Sequence, residues 1–574
     1  MDFRANAWLK WRRLLGVALL FILFFILAFA IQSPGLDARF DYDSAAKMAS
    51  KWYLFEAGIS QALSIFPQRP LTVLTFHGNY LLGGMTPAPF RVLNFAALAA
   101  LSCIIVLLVN LVLSTPPYQG KLTPKQTDVV GILIATIFLV HPLQIYVTLY
   151  IWQRAALLAA LLYCSSLAVY LGTRLGRIEN PAVGHLLGAF LFIGAMLSKE
   201  NSFTLPVVLI LAEMTLFRSR MLPALRHTFP YWLALIAAVA GLSFLESPHG
   251  NPQQGSGILG SLAVYYTESG VTLKQVVLTQ CRVLFSYLQI IFVPIPTTVQ
   301  LVNPQIISQS LWQPWTTAPA VGGVLALFLL GLLLMRRGSL AGLGILFFFV
   351  TLVPEGLLVP QYAFFGYRAV LPMVGVLLVI VDLGVVLVNA PHGAASFSAV
   401  RVGLLTLTAA IVISLAMSTS VVATIWGDRV AFWGSAVQAF PRPIEKLEPR
   451  PAAQVYANLG WALYERRKYA EAAESYKSSI ALLPGKPKVY ANLGLAYLEM
   501  NRVTEAEQML RESVQLDPEL AYPRHKLARL LFQQKRYDEA LLFFKEAVTL
   551  EPSNREFGED LRRAEEFMSS RSQR

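Results

Sequence analysis

Acidic and basic residues at the ends of long apolar segments are the parts of this sequence best placed to do chemistry. Asp41 and Asp43 follow the first apolar segment, and in an extended loop side chains two residues apart point to the same side. Arg154, Lys199 and Arg368 lie at the ends of other apolar segments. Charges at membrane depth are costly and usually have partners or ligands. The acids could therefore transfer a proton and the cations could bind an anion; the alternatives are solvated loop acids and interfacial anchors.

The composition indicates a membrane protein. Of the 574 residues, 55% are hydrophobic and only 14% are charged, with a mean hydropathy of +0.54, whereas soluble domains carry about 25% charged residues. The net charge of +13 comes largely from Lys and Arg in short loops, which is typical of topology determinants and not of nucleic-acid binding. No disulfide framework is expected, because all three cysteines lie in apolar stretches (Cys103, Cys164 and Cys281).

Eleven apolar segments are long enough to cross a bilayer, which takes about 17–25 residues. They are 14–31, 89–113, 128–147, 155–172, 183–198, 203–217, 229–246, 317–335, 339–358, 369–389 and 402–425. The first is longer than the apolar core of a signal peptide, so we expect a retained anchor. Cations in 1–13 and in alternate loops predict a cytoplasmic N-terminus, and eleven crossings then leave the C-terminal part on the non-cytoplasmic face.

Residues 276–295 are a twelfth candidate that would reverse this orientation. Arg282 lies in the middle of the segment, where it would cost a lipid-facing helix about 2.5–3.5 kcal/mol. We therefore expect a re-entrant or interfacial helix within one long external segment, 247–316. The other long external segment is 32–88.

A repeat of 34 residues occupies the C-terminal part. The sequence Tyr-Ala-Asn-Leu-Gly occurs at 456–460 and again at 490–494, and Pro484, Pro518 and Pro552 have the same spacing. This period predicts tetratricopeptide repeats at 453–486, 487–520 and 521–554, with a capping helix to 569, after a linker at 426–452. The predicted fold class is all-α, a polytopic membrane bundle over 14–425 followed by an α-solenoid. Such an array usually binds a peptide or partner on its concave face; the alternative is a structural spacer.

Several short motifs of the membrane part, together with the order of the two parts, resemble one family. They resemble the transmembrane and tetratricopeptide-repeat O-mannosyltransferases and their bacterial relatives, which belong to the C-type glycosyltransferases. The resemblance covers nearly the whole chain. The motifs are Phe40-Asp-Tyr-Asp-Ser44, Gln68-Arg-Pro-Leu-Thr-Val-Leu-Thr-Phe76, Asn79-Tyr80, Phe90-Arg-Val-Leu-Asn94, His141-Pro142, Gln153-Arg154, Lys199-Glu200 and the linker residues Trp426-Gly-Asp-Arg429.

Three positions depart from that family's pattern. Ser44 stands where the family has the second of two adjacent acids, and Arg91 stands where a histidine is usual. Tyr367-Arg368 takes the place of a Glu-Arg pair. These departures bear on the sugar and the acceptor, and not on the fold.

The resemblance implies transfer of a sugar, mannose or another hexose, from a polyprenyl phosphate to a hydroxyl group of a protein, by inverting displacement. Asp43 would be the general base, with Asp41 as the second candidate. The donor phosphate would be bound by basic side chains, and two further residues would support the site. The basic set is Arg154, Lys199, Arg368 and Arg69, and the supporting residues are Glu200 and His141.

The predicted partners are the lipid-linked sugar, a protein or peptide acceptor held by the repeats, and membrane lipids. No nucleotide fingerprint is present. No metal site is predicted, although acidic pairs bind Mg²⁺ or Mn²⁺ readily and a divalent ion stays possible. Two other functions stay open, namely a transferase, polymerase or ligase for surface glycan or lipid, and a non-enzymatic scaffold for envelope proteins. The expected location is a bacterial inner membrane, with the repeats periplasmic.

Overall fold

The computed structural model describes residues 2–39, 44, 48–246, 271–296, 301, 303–358, 363–389, 394–442 and 444–572. It divides into two compact units. The membrane unit contains the residues up to 301 together with 307–428, and the repeat unit contains 303–306 together with the residues from 429 onward.

The membrane unit is built from helices whose apolar length matches the predicted segments. They are α1 (Asp2–Gln32), α2 (Trp52–Glu56), α3 (Ile59–Leu63), α4 (Pro70–Gly83), α5 (Pro87–Leu113), α6 (Pro124–Val140), α7 (Ile145–Thr148), α8 (Arg154–Arg174), α9 (Pro181–Ser198), α10 (Leu205–Leu216), α11 (Met221–Glu246), α12 (Leu273–Phe292), α13 (Thr317–Arg336), α14 (Leu340–Val353), α15 (Val370–Asn389) and α16 (Ala394–Gly427). Proline supplies the first residue of α4, α5, α6 and α9, where its missing N–H has no cost.

All eleven predicted segments are helical, and the predicted all-α fold class is confirmed. Among the described residues, eight helices are long and apolar enough to cross a membrane, or nine if the bent pair formed by α6 and 142–148 is one span. Two predicted segments form helices shorter than a crossing usually needs, namely α10 and α14. The eight include α12, which we expected not to cross.

Contacts sort the helix ends of the membrane unit into two groups. In the first group, Thr148 in α7 donates a hydrogen bond to Gln32 at the end of α1. Thr72 in α4 donates to the carbonyl of Ser198 at the end of α9 (3.0 Å), and Asn201 donates to Glu355 beyond α14 (2.9 Å). We call this group of ends face A.

The second group, face B, lies at the other ends of the same helices. Arg174 at the end of α8 pairs with Glu213 in α10, and Tyr118 after α5 donates to Asp382 in α15. Ser339, just before α14, donates to the same Asp382 carboxylate. Since α10 and α14 each run from one face to the other, these two short helices connect the faces in the same way as their longer neighbours.

Two points along α12 contact face A. Gln280, the eighth of its 20 residues, donates to the carbonyl of Ala363 (3.1 Å), which precedes α15. Near its end, the Ile291 carbonyl lies 3.0 Å from Nε2 of His141, the residue after α6. These contacts are those expected of a re-entrant or interfacial helix, although the length and composition of α12 would also suit a span.

The repeat unit has three helical hairpins, at 449–482, 487–516 and 521–550. Its helices are α17 (Arg429–Gln438), α18 (Pro449–Glu465), α19 (Tyr469–Leu482), α20 (Pro487–Glu499), α21 (Val503–Leu516), α22 (Ala521–Gln533), α23 (Tyr537–Leu550) and α24 (Arg555–Ser572). Gly460 is required by the close approach of the first hairpin, because a Cβ there would lie 2.7 Å from the Tyr476 ring. The expected linker, 426–452, contains the helix α17.

Candidate active site

Four of the sequence-predicted site residues meet on face A. Arg69 precedes α4, Lys199 and Glu200 form the turn between α9 and α10, and Arg368 lies just before α15. The structure adds a fifth residue, Glu355, from the end of α14. We call these five residues the ionic cluster. They come from four places far apart in the sequence, so only the packing of the helices brings them together.

The pair at one side of the cluster is Arg69 and Glu200. The guanidinium donates from Nε to Oε2 (2.9 Å) and from Nη2 to Oε1 (2.6 Å), which is the two-bond geometry that favours Arg over Lys. The guanidinium carbon also lies 4.8 Å from the centre of the Phe66 ring. Burial alone would raise the pKa of the Glu200 carboxyl, but Arg69 holds that pKa at about 2. Glu200 is therefore ionised at neutral pH.

On the other side of the cluster, Glu355 lies between two cations. Lys199 Nζ is in ion-pair contact with its Oε1, and Arg368 Nε lies 2.9 Å from its Oε2. The three side chains are almost completely buried, and the ammonium of Lys199 also lies 4.5 Å from the centre of the Tyr367 ring. Pro354 ends the regular part of α14, and Glu355 lies in the single π-helical turn that follows. Such turns are frequent at functional sites.

The cations of the ionic cluster outnumber its carboxylates. It holds three cations and two carboxylates, so its formal charge is +1. Lys199 and Arg368 share the single carboxylate of Glu355, so these two donors have one formal negative charge between them. A phosphate oxygen is the kind of acceptor that such donors bind.

Arg154 lies outside the ionic cluster. It is 1% exposed, and its guanidinium donates to Asn94 Oδ1 (2.6 Å), to the Phe90 carbonyl (2.8 Å) and to the Thr75 carbonyl (3.1 Å). Its guanidinium carbon also lies 4.7 Å from the centre of the Phe76 ring. Arg154 thus ties the start of α8 to α4 and α5, and in this arrangement its nitrogens are bound by the protein.

His141 is buried and uses both ring nitrogens on the backbone. Its Nδ1 accepts the N–H of Leu143 (3.1 Å), so its Nε2 carries the proton and donates to the Ile291 carbonyl (3.0 Å). It therefore joins the end of α6 to the end of α12, as a structural hydrogen-bonder would.

Asp41 and Asp43 lie outside the described residues, but the chain on both sides of them is anchored. Before them, Arg91 donates to the carbonyls of Leu36 (2.7 Å) and Arg39 (3.2 Å). After them, the hydroxyl of Ser44 accepts the N–H of Trp152 (3.1 Å). Arg91 and Ser44 are two of the positions that depart from the family pattern, and both hold the backbone next to the acids.

Sequence reasoning missed Glu355. The residue lies inside the predicted apolar segment 339–358, where its charge was counted with the span. The available signal was the Pro-Glu pair at 354–355, since proline marks where a regular helix ends. Arg368 therefore has a carboxylate beside it that comes from the turn after α14, and not from residue 367.

Comparison with known proteins identifies the C-terminal part. Three tetratricopeptide-repeat models match residues 432–487, 463–530 and 521–554. The repeats are tetratricopeptide repeats. Among solved structures, the first such domain of Spaghetti (RPAP3) bound to an HSP90 peptide covers 21% of this chain and 94% of that chain, with 23% identity and a TM-score of 0.20.

Curated relatives extend the similarity to named enzymes. The human protein O-mannosyl-transferase TMTC4 is 30% identical over 29% of this chain and 23% of that protein. The fruit-fly protein O-mannosyl-transferase Tmtc1 is 34% identical over 24% of this chain and 14% of that protein. The chain thus spans less than a quarter of the length of either relative. The similarity supports the resemblance at the level of the family.

One group of possible metal ligands lies in the repeat unit, far in sequence from every predicted site residue. His525, Glu556 and Asp560 have ligand atoms within 4.8 Å of one another. Lys526 and Arg529 also approach the Glu556 carboxylate, at 3.3 and 3.4 Å. The charge of the Glu556 carboxylate is therefore already balanced by Lys526 and Arg529. We interpret the group as contacts that hold the capping helix α24 against α22.

Proposed function

We propose that this chain is a membrane glycosyltransferase that moves a sugar from a polyprenyl phosphate to a hydroxyl group of a polypeptide. The observation that carries the proposal is the ionic cluster of face A, with its excess positive charge at the ends of apolar helices. The names of the curated relatives support the same reaction class. Mannose is the first sugar to test for that reason.

In the proposed reaction, the ionic cluster binds the departing lipid phosphate. Lys199 and Arg368 share the Glu355 carboxylate, and a bound phosphate would give both cations a second anionic partner. Donors that are fixed before the reaction stabilise the charge that develops on the leaving group. Both carboxylates of the cluster are already paired with cations, so we propose that Lys199 and Arg368, and not a divalent metal, neutralise the phosphate.

We propose Asp43 as the general base, with Asp41 as the second candidate. The base takes the proton of the acceptor hydroxyl while the oxygen attacks the anomeric carbon, and the bond from that carbon to the phosphate oxygen breaks. The contacts of the neighbouring residues support this assignment, because Arg39 and Ser44 are hydrogen-bonded to Arg91 and Trp152 of the membrane unit. Arg154 is then a positioning residue. It holds α4, the helix that begins directly after Arg69.

We propose that face A is the non-cytoplasmic face. Face B carries the cations of the short loops, which favours the cytoplasm. The position of the repeats is supported by a pairing within the repeat unit, where the N–H of Glu448 donates to the carbonyl of Gln305 (2.8 Å). We therefore propose that residues 305 and 448 lie on one side of the membrane, which agrees with four crossings by α13 to α16.

The proposal is tested with the purified full-length protein in lipid nanodiscs. Radiolabelled polyprenyl-phosphate sugars, mannose first, are incubated with polypeptide acceptors from secreted proteins and, in parallel, with surface glycans. We expect label to be transferred to the polypeptide and expect Asp43→Asn to abolish the transfer while the protein stays folded. Asp128→Asn, at an exposed carboxylate of α6, is the matched control. Transfer only to glycan, or full turnover in both Asp43→Asn and Asp41→Asn, would overturn the proposal.

A further inference from the structure

Helix α12 has two different sides. Residues on its buried side recur every three or four positions, as in a helix packed along one face (Val276, Gln280, Val283, Tyr287 and Ile290). The exposed residues of α12 are four large apolar ones (Leu273, Val277, Phe285 and Phe292) and two polar ones (Lys274 and Gln289). Large apolar side chains exposed together with long polar ones are typical of a helix that lies at a membrane–water interface.

The buried side of α12 adjoins the ionic cluster. The hydroxyl of Tyr287 donates to the carbonyl of Phe365 (3.2 Å), and the ring of Phe365 lies 5.2 Å from the guanidinium carbon of Arg368. Gln280 donates to the carbonyl of Ala363 in the same segment. One side of α12 therefore packs on the segment that carries Arg368, while the other side is exposed.

An ordered turn, residues 309–316, continues the exposed apolar surface. Its two indoles, Trp312 and Trp315, are 74% and 75% exposed. The backbone of the turn is nevertheless fixed, since the N–H of Gln309 donates to the carbonyl of Gln313 (2.8 Å) and the N–H of Thr317 donates to the carbonyl of Pro314 (2.9 Å). A fixed turn that presents two tryptophans outward is typical of a residue pair at a membrane–water interface.

The surface is also continuous with a membrane-spanning helix. Helix α13 begins at Thr317, directly after the turn, and is long and apolar enough to cross a membrane. Its exposed residues Leu325, Leu329 and Leu333 recur every four positions and form one stripe. In a helix that crosses a bilayer such a stripe faces lipid, and the turn before α13 would then lie where the helix enters the bilayer.

We infer that α12 and the turn 309–316 lie in the lipid leaflet that adjoins face A. The exposed side of α12 contacts acyl chains, and Trp312 and Trp315 lie at the level of the headgroups. A helix with its side chains is about 10–12 Å across, so lipid outside α12 lies roughly one helix diameter from the segment of Arg368. The lipid contact stands by itself; its consequence, that a lipid-borne phosphate reaches the ionic cluster without leaving the bilayer, rests on the proposed function.

The test measures what surrounds these residues in a membrane. The three native cysteines are replaced by serine in the full chain, and single nitroxide labels are attached to Val277→Cys or Phe285→Cys. The protein is placed in nanodiscs of phosphatidylethanolamine and phosphatidylglycerol. Collision rates with lipid-soluble oxygen and with a water-soluble nickel complex are compared. Leu329→Cys in α13 is the lipid control and Lys488→Cys, exposed in the repeat unit, is the water control.

We expect the ratio of oxygen to nickel collisions at 277 and 285 to match that at 329 and to exceed that at 488 several-fold. A ratio equal to that at 488 would place α12 in water and overturn the inference. Protection from both reagents would also overturn it, because a polypeptide acceptor or a second copy would then cover the surface. Neither outcome depends on sugar transfer, so this test and the test of the proposed function can fail independently.

A second measurement uses the tryptophans and needs no cysteine variant. Nanodiscs with brominated acyl chains quench indoles that lie near the headgroups. We expect the W312F/W315F double variant to lose part of the quenchable fluorescence and expect Trp461→Phe, in the repeat unit, to lose none. Equal quenching in the double variant and the wild type would contradict the placement of the turn.

Discussion

Face A and face B of the membrane unit both bury carboxylates at helix ends, but they balance the charge differently. On face B, the Glu213 carboxylate accepts hydrogen bonds from Arg174, from Tyr170 (2.7 Å) and from Ser219 (2.6 Å). One cation and one carboxylate leave no net charge there. On face A, two carboxylates are set among three cations.

The second buried acid of face B, Asp382, is stabilised by neutral hydrogen-bond donors. Asp382 accepts from the hydroxyls of Tyr118 and Ser339 and from the N–H of Ala341 (2.9 Å). These donors fix the start of α14 against α15, so the acid works as a helix cap. The comparison teaches that burial of a charge does not by itself identify a site. Excess charge of one sign within a buried cluster is the better guide.

The largest effect is expected from removing one cation of the ionic cluster. Arg368→Gln should lower kcat/KM for sugar transfer by about 10²-fold, the usual effect of deleting one fixed donor to a developing oxyanion. Lys199→Met should act similarly. The measurement is transfer of labelled sugar by the purified protein in nanodiscs, together with thermal unfolding to establish that the fold is kept.

The corresponding change on face B, at Arg174, tests whether a buried ion pair there has only a structural role. Arg174→Gln should leave kcat/KM per folded molecule unchanged, since Arg174 lies at the opposite ends of the helices from the ionic cluster. If Arg174→Gln and Arg368→Gln lowered transfer equally without unfolding the protein, the distinction between the two faces would be wrong.

The sequence predicts most of the fold because apolar length and the 34-residue period are local signals. Four residues of the ionic cluster were also predicted, since Lys199 and Arg368 stand out as charges at the ends of apolar segments. Glu355 was missed because it lies within such a segment. The placement of Arg154 was beyond prediction for another reason: the acceptors around it, Asn94 and the carbonyls of Thr75 and Phe90, come from two other helices.

The next largest effect is on the free energy of unfolding. It concerns Glu213, the face B carboxylate that accepts hydrogen bonds from three residues. Glu213→Ala removes the partner of Arg174 and two further hydrogen bonds, from Tyr170 and Ser219, and breaking a buried pair costs about 3–5 kcal/mol. Arg174 retains some exposure, so the lower end of that range is expected. The free energy of unfolding should fall while transfer per folded molecule at low temperature is kept. A fully folded Glu213→Ala protein without activity would contradict this assignment.

A smaller effect is expected from the neutral donors to Asp382. Tyr118→Phe deletes the hydroxyl that donates to Asp382 and accepts the N–H of Leu340 (2.6 Å). Hydrogen bonds to charged groups contribute about 1.5–3 kcal/mol, so the free energy of unfolding should fall within that range. Thermal unfolding of the purified variant measures it, and Tyr53→Phe, at an exposed phenol, should change nothing. An equal loss in both variants would show that the Asp382 cap does not stabilise the unit.

The smallest effect concerns the pH dependence of the Arg69–Glu200 pair. Arg69 keeps the Glu200 pKa at about 2, below the value of about 4.3 for an unfolded chain. A carboxyl with a lowered pKa stabilises the fold fully above its unfolded pKa, and this contribution is lost as the pH falls from the unfolded pKa through the folded pKa. The difference in unfolding temperature between wild type and Glu200→Gln should therefore be the same at pH 7 and pH 5. An acid limb of the transfer rate between these values should have the same midpoint in both proteins, because Glu200 stays ionised throughout this range. A shifted midpoint in Glu200→Gln would mean that Glu200 itself takes up the proton. The Arg69–Glu200 pair would then take part in the reaction and would not serve only to position the ionic cluster.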